Sequence, residues 1–331
     1  MATIRFLTRS EVVQALPMIE AIDGMKRAYG ALSAQTAAMP LRVRVPGQDE
    51  GVSLVMPAHL TDSGEMGVKV VSVFPKNSTR DLPTIHAVVL VLDAHTGQIL
   101  GMMEGGSLTA IRTGAGAGAA TDLLANPDAR TVAIIGSGVQ ARTQLEAVCA
   151  VRPIEHAWVY SPTRAHALTF AQSLAGQEGL PLVIDVAPSA DEAIAQADII
   201  CTATTSSQPV FDGSRLREGM HINAVGSFTP TMQEVDDITL QRASIFVDSR
   251  EAVRAEAGEL VIALANGAIS EDEIQIEIGD VVNGNHPGRQ SPDEITYFKS
   301  VGVAVQDAVG ARIALDQAQA LNIGTVLDLD T

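Results

Sequence analysis

One segment of the sequence has the residues, the spacing and the setting that ligand chemistry needs. Gly136-Ser137-Gly138-Val139-Gln140-Ala141 follows the apolar, β-branched run Thr131-Val132-Ala133-Ile134-Ile135 and opens a stretch of helical periodicity. Between a strand and a helix, the pattern GxGxxG/A is a dinucleotide-binding fingerprint. Gly136 permits the tight turn, Gly138 lets the backbone approach a pyrophosphate, and Ala141 is small enough for helix and strand to pack closely. The helix start then offers unpaired N–H groups and the positive end of its dipole to the phosphates. The same string also fits a glycine-rich turn that holds no ligand.

The end of the next strand speaks to the choice of cofactor. An NAD site places a carboxylate there, about 20 residues beyond the loop, to hold the ribose hydroxyls. Here the chain reads Tyr160-Ser161-Pro162-Thr163-Arg164, with no acid. Ser161 and Thr163 can donate to a 2′-phosphate and Arg164 can pair with it, so NADPH is expected, with NADH as the alternative. The bland reading of Arg164 is a solvated residue in the first turn of a helix.

Composition restricts the remaining chemistry. With 39 acidic and 22 basic residues, the 331-residue chain carries a formal net charge of −17. Nucleic acid is therefore not an expected partner, and any anion must be held by a few placed cations. Arg44 and Lys69 lie in strand-like segments, where a cation more often faces solvent than a ligand. The histidines (His59, His86, His95, His156, His166, His221, His286) show no paired spacing, so no metal is expected. Cys149 and Cys201 form no CxxC, and Cys201 falls mid-strand, where a buried, inert thiol is expected. No GxSxG nucleophile motif occurs. The N-terminal residues lack a secretion-type apolar region and no apolar run has transmembrane length, so a soluble, cytoplasmic protein without a membrane partner is expected.

These residues need elements to position them. Periodicity gives a helix over 9–35, then strands over 42–45, 52–56, 68–73, 86–92 and 99–103 with short turns between them, as in an antiparallel sheet. Asp93-Ala94-His95-Thr96-Gly97 supplies one turn, with Gly where a positive φ is expected. A helix follows over 112–124. From residue 130 strands alternate with helices: strands at 131–135, 157–160, 182–186, 199–203, 222–225 and 245–247, helices at 139–151, 163–174 and 191–196. That alternation means βαβ crossovers and a parallel sheet. A long Ala/Val helix covers 301–321, and residues 283–292 read as the most flexible patch.

Several separated motifs, in this order, resemble the ornithine cyclodeaminase/μ-crystallin family. They are Arg42-Val43-Arg44, Gly67-Val68-Lys69, Leu82-Pro83-Thr84, Asp93-Ala94-His95-Thr96-Gly97, Leu108-Thr109-Ala110-Ile111-Arg112-Thr113, the GSGVQA loop, and Phe298-Lys299-Ser300-Val301-Gly302. The resemblance implies an α/β fold: a Rossmann-type doubly wound parallel sheet (123–301) inserted into an α+β substrate-binding and dimerisation domain (1–122 and 302–331). It implies a homodimer acting on α-amino acids or their imines with a nicotinamide cofactor. Residue by residue, Arg44, Lys69 and Arg112 match the substrate-carboxylate positions, with Lys69 and Arg112 in the catalytic role. Met56, Thr84, Phe228, Ser300 and Gly302 match further substrate contacts. Thr113, Gly136, Ser137, Gly138, Val139, Gln140, Ala141, Ser161, Thr163, Arg164, Ala203, Val225 and Gly226 match cofactor positions.

One departure from the family pattern bears on the substrate. Cyclodeaminases carry an Asp after the Val-Gly-x segment, whereas here Ala224-Val225-Gly226-Ser227-Phe228-Thr229-Pro230 puts Phe228 at that position. A phenyl ring neither accepts an amine proton nor pairs with an ammonium. The expected reaction is hydride transfer to C2 of a cyclic imino acid, Δ1-pyrroline-2-carboxylate or Δ1-piperideine-2-carboxylate, giving L-proline or L-pipecolate. Lys69 and His86 are the candidates for the nitrogen proton. The alternatives are an alanine or other amino-acid dehydrogenase, an ornithine cyclodeaminase-like enzyme, and a non-catalytic NADPH-binding protein of the μ-crystallin kind.

Overall fold

The computed structural model describes residues 3–330, apart from the side chain of Ser78; Met1, Ala2 and Thr331, which the sequence assigns to the substrate domain, lie outside the described residues. In chain order the first elements are β1 (Thr3–Leu7), α1 (Arg9–Ala15), α2 (Met18–Ser33), β2 (Ala37–Ala38), β3 (Val43–Pro46), β4 (Val52–Leu60), β5 (Glu65–Val73), β6 (Ile85–Asp93), β7 (Ile99–Glu104) and α3 (Gly105–Leu124). Next come β8 (Thr131–Ile135), α4 (Val139–Val151), β9 (His156–Tyr160), α5 (Arg164–Leu174), β10 (Ile184–Val186), α6 (Ala190–Ile194), β11 (Ile199–Thr202) and β12 (His221–Ala224). The chain ends with α7 (Asp237–Arg242), β13 (Ser244–Val247), α8 (Arg250–Glu256), α9 (Gly258–Asn266), β14 (Ile276–Glu277), α10 (Ile278–Val282), β15 (Thr296–Lys299), α11 (Ala304–Ala320) and β16 (Thr325–Asp328). Two compact units result, Met1–Arg112 with Val303–Thr331, and Thr113–Gly302. The division falls within α3, at Arg112, where the sequence places it at 122.

The first unit is an eight-stranded sheet in the order β16-β1-β7-β6-β5-β4-β2, with β3 on β4. The single helix expected over 9–35 breaks at Pro17, whose missing N–H and fixed φ make it the cap of α2 rather than a residue within a helix. Register decides which side chains meet. Arg44 opposes Leu54, Met56 opposes Lys69, and Lys69 opposes Val89. Directly opposed residues share a face, as do residues two apart on one strand, so Arg44, Met56 and Lys69 lie on one face. α11 packs there: a Cβ on Gly67 would meet the Ala308 backbone at 3.3 Å. Ser72 opposes His86 on the other face. The expected turn forms as read, with Asp93 Oδ1 accepting from the His95 and Thr96 amides and Gly97 at φ +74°.

The second unit is an all-parallel sheet in the order β10-β9-β8-β11-β12-β15-β13-β14. It is doubly wound. Ala133, Ile135 and Ile200 pack on one side with residues of α6, α7 and α9, while Val132, Ile134 and Cys201 pack on the other with residues of α4 and α5. Strand order reverses between β8 and β11, which creates the switch point where such sheets bind ligands. Several elements differ from the sequence reading. Helix α3 begins at Gly105 rather than 112, because the Glu104 carboxylate accepts from the Gly106 and Ser107 amides and starts it early. Strand β15 and helices α7 to α10 were outside the expected set. Within residues 283–292, read from the sequence as the most flexible patch, Arg289 donates to the Leu124 and Met220 carbonyls and to Thr296 Oγ1, fastening that segment to α3 and the sheet.

Candidate active-site residues

In the first unit two expected cations meet over one unexpected acid. Lys69 on β5 and Arg112 on α3 retain only 3% and 6% of their surface, and Asp307 of α11 lies between them. Lys69 Nζ is 2.8 Å from Asp307 Oδ2, and Arg112 Nε donates to Asp307 Oδ1 at 3.1 Å. Arg112 Nη1 donates to Gln306 Oε1 at 3.0 Å, and Gln306 Nε2 in turn donates to the buried Tyr29 hydroxyl at 2.7 Å. With two cations to one anion, this buried cluster has a surplus positive charge suited to a carboxylate.

The surroundings of Lys69 move its proton affinity toward neutrality. Burial, followed by the charges of Arg112 and Arg42, pulls the ammonium down from 10.5 to about 8 against the opposing pull of Asp307. Burial pushes the Asp307 carboxyl up, but the Arg112 and Lys69 charges outweigh it, and the group sits below its ordinary value. Of the other substrate positions in this unit, Met56 is buried beside Lys69 in register, while Arg44 and Thr84 are exposed. His86 is also exposed and lies on the face of the sheet opposite Lys69, which removes it as a partner in proton transfer.

In the second unit the glycine loop has the geometry its sequence calls for. Gly136 has φ +115°, and a Cβ there would meet the Ala203 carbonyl oxygen at 2.5 Å, so only glycine fits where the ends of β8 and β11 run side by side. Gly138 caps α4 and would meet nothing within 4 Å, which leaves open space against the first-turn amides. Ala141 is fully buried against the sheet, and Val139 is 70% exposed. These residues fit a dinucleotide pyrophosphate. Ser161, Thr163 and Arg164 follow β9, with Thr163 capping α5 and both Thr163 and Arg164 exposed. Thr113 accepts from Gln144 Nε2 through its carbonyl at 3.3 Å. Gln140 Oε1 is buried without a partner.

The loops after β11, β12 and β15 carry the remaining expected residues, and buried carboxylates fasten each of them. Glu234 accepts from the Thr204 amide and hydroxyl, the Thr202 hydroxyl and the Gly226 amide, all at 2.7–2.8 Å. It thereby fixes the surroundings of Ala203, Val225 and Gly226. Asp248 accepts from Ser300 Oγ at 2.8 Å and from the Val301 and Gly302 amides at 3.0 and 2.8 Å. The Ser300 hydroxyl is thus engaged within the fold, and Gly302 takes φ +82° to make this turn. Phe228 is 48% exposed beside the fully buried Ser227. Sequence reasoning missed Asp307, Glu234, Asp248 and Glu259. Of these, Glu259 stands as an isolated acid in the apolar α9, a signal of a buried carboxylate, because such a group requires partners. Burial pushes Cys201 up to about 12, consistent with an inert thiol.

Residues 3–322 match the family described as ornithine cyclodeaminase/mu-crystallin. The Delta(1)-pyrroline-2-carboxylate reductase of Bacillus cereus is 39% identical over 96% of this chain and 98% of its own. The solved Thermococcus litoralis Delta(1)-pyrroline-2-carboxylate reductase, in complex with NADH and L-proline, is 41% identical with a TM-score of 0.92, covering 97% of this chain and 99% of that one. An archaeal alanine dehydrogenase dimer with bound NAD is 33% identical with a TM-score of 0.91, covering 99% of each chain. The chain belongs to the ornithine cyclodeaminase/mu-crystallin family.

Proposed function

We propose that the protein is an imine reductase that converts Δ1-pyrroline-2-carboxylate to L-proline, Δ1-piperideine-2-carboxylate to L-pipecolate, or both, with NADPH preferred and NADH as the alternative. The buried Lys69–Asp307–Arg112 cluster carries this reading. A substrate carboxylate neutralises its surplus charge, and Arg112, with Nε and Nη1 already committed, retains Nη2 for a substrate oxygen. Arg44 adds a third cation from the same face of the sheet as Lys69.

Lys69 is the group that moves a proton. Its ammonium, at about 8, donates to the imine nitrogen at neutral pH and makes the iminium. A nicotinamide group, when bound, supplies the hydride for C2. Reduction of the protonated C=N bond would leave a neutral secondary amine, and Lys69 would then regain its proton from solvent. Positioning and the fixed charges of the cluster provide most of the catalysis. The first-turn amides of α4 hold the pyrophosphate, and Ser161, Thr163 and Arg164 hold the 2′-phosphate. Phe228 stands at the sequence position where cyclodeaminases carry an Asp, and a phenyl ring does not pair with the side-chain amine of ornithine.

Two features support a homodimer. The sheet face opposite α11 presents Met66, Val68, Val70, Val88, Leu90 and Met102, an apolar surface of half-buried and exposed side chains, and the archaeal relative is described as a dimer. No helix among the described residues is long and apolar enough to cross a membrane, and a cytoplasmic location belongs to the same proposal. The deciding assay follows NADPH oxidation with each cyclic imine and with pyruvate plus ammonia. Turnover of the imines supports the reading, and efficient turnover of pyruvate plus ammonia alone makes the protein an amino-acid dehydrogenase.

A further inference from the structure

The side-chain amide of Gln306 makes every hydrogen bond it can, and the proposed reaction assigns it no role. Gln306 lies in the first turn of α11, and both it and Tyr29 are 0% exposed. Its Oε1 accepts from Arg112 Nη1 and from the Val303 amide, both at 3.0 Å. Its Nε2 donates to the Tyr29 hydroxyl at 2.7 Å and to the Arg112 carbonyl at 3.4 Å. Two donors face the oxygen and two acceptors face the nitrogen, so the amide has one orientation only. Asp307 at Nε and Gln306 at Nη1 together fix the plane of the Arg112 guanidinium. All of these residues belong to the first unit.

Helix capping alone does not account for a glutamine here. The bond from the Val303 amide is the usual reach of a third helical residue back to the residue before the helix, and Glu makes that bond as well as Gln. Glu is also the better neighbour for the positive end of a helix dipole. What the amide has that a carboxylate lacks is neutrality. Lys69 and Arg112 share the single negative charge of Asp307, and their surplus survives because the second acceptor on Arg112 carries no charge. A carboxylate in its place would balance the cluster at two cations and two anions.

We infer that Gln306 is a positioning residue for the substrate carboxylate: it fixes the edge of Arg112 that bears Nη2, and its neutrality preserves the positive charge that draws the anion in. The inference rests on the proposed role of Arg112. Gln306 itself touches neither the substrate nor the reacting atoms in this scheme. The charged groups around Lys69 are Asp307 of α11, Arg112 of α3 and Arg42 ahead of β3, with Arg44 on the same face of the sheet. Its partners in register, Met56 on β4 and Val89 on β6, carry no charge.

The probe is pyrrole-2-carboxylate, a planar carboxylate with no reducible C=N bond. Its affinity for the parent, Gln306→Glu and Gln306→Met is measured by calorimetry as a function of pH, with thermal unfolding to report folding. Affinity for the parent should fall as pH rises through about 8, where Lys69, depressed chiefly by burial, loses its proton. Q306E should bind the probe about 10- to 100-fold more weakly, and its alkaline fall should lie at higher pH, because an added carboxylate favours the ammonium. Q306M loses the positioning without gaining a charge, so it should bind more weakly with the alkaline fall in place. Parent-like affinity in either variant overturns the inference, as does an alkaline fall that moves in both or in neither. Where the Gln306 variants fail to fold, Tyr29→Phe decides: release of Nε2 should weaken the probe roughly 2- to 10-fold, and parent-like affinity overturns the inference. A parent that binds the probe but reduces neither imine ends the proposed reaction, while the variants still decide the role of Gln306. A parent that reduces an imine without binding the probe ends this inference alone.

Discussion

The proposed proton donor, Lys69, carries the pH dependence expected of the reaction. Its ammonium is depressed to about 8 by burial first, then by Arg112 and Arg42, with Asp307 opposing them. The donor is the charged form, so kcat/KM for imine reduction should be level near neutrality and fall as pH rises through about 8. Asp307→Asn removes the one charge that favours the ammonium, so the alkaline fall should move to lower pH, and a pH profile identical to the parent's would refute this role. Lys69→Met should reduce kcat by on the order of 10²- to 10⁴-fold, the usual worth of a positioned proton donor, in single-turnover measurements with NADPH. Arg164→Ala should weaken NADPH binding by roughly 10- to 100-fold, the loss of one charge-assisted contact, and leave NADH unchanged in a fluorescence titration. Equal loss for both would remove the 2′-phosphate assignment. At this scale Lys69 and Arg112 were legible through their motifs. Asp307 was not, because α11 also carries the exposed pair Arg312–Asp316, and the sequence does not separate an acid that faces water from one that faces the core.

Among the elements, β8, the glycine loop and α4 form the part of the fold that local sequence determines most fully. Strand β8 is buried on both faces and reads as a near-continuous apolar run, and the turn that follows leaves no room for a side chain at Gly136. Gly136→Ala puts a Cβ 2.5 Å from the Ala203 carbonyl in a backbone region that costs L-residues about 1–3 kcal/mol. It should lower the unfolding temperature and abolish measurable dinucleotide binding in the same titration; parent-like affinity would show that the loop is not the pyrophosphate site. Other elements were hidden for physical reasons. Strand β15 follows a polar, proline-bearing segment and enters the sheet between β12 and β13 out of chain order, so its existence depends on distant partners. The helices α7, α8 and α10 span only 6, 7 and 5 residues, too short for periodicity to declare them. The break between α1 and α2 was visible as Pro17 but lay inside an unbroken apolar period, and the proline won.

At the scale of the whole molecule, a net charge of −17 coexists with a buried pair of cations in the first unit. The acidic excess is spread over the surface, while Lys69 and Arg112 are withdrawn from water and held by a single carboxylate. The first unit leaves one face of its sheet apolar, and a second copy is the proposed cover. Val70→Asp sets a charge in the middle of that face and should convert a two-chain sedimentation mass into a one-chain mass; a parent that sediments as a single chain would end the dimer proposal. The most direct test of the central claim is the steady-state rate of NADPH oxidation with Δ1-pyrroline-2-carboxylate against that with pyruvate plus ammonia. The proposed function requires efficient reduction of the imine, with L-proline as product and little or no turnover of pyruvate. Rapid reductive amination of pyruvate, with the cyclic imine inert, would contradict it.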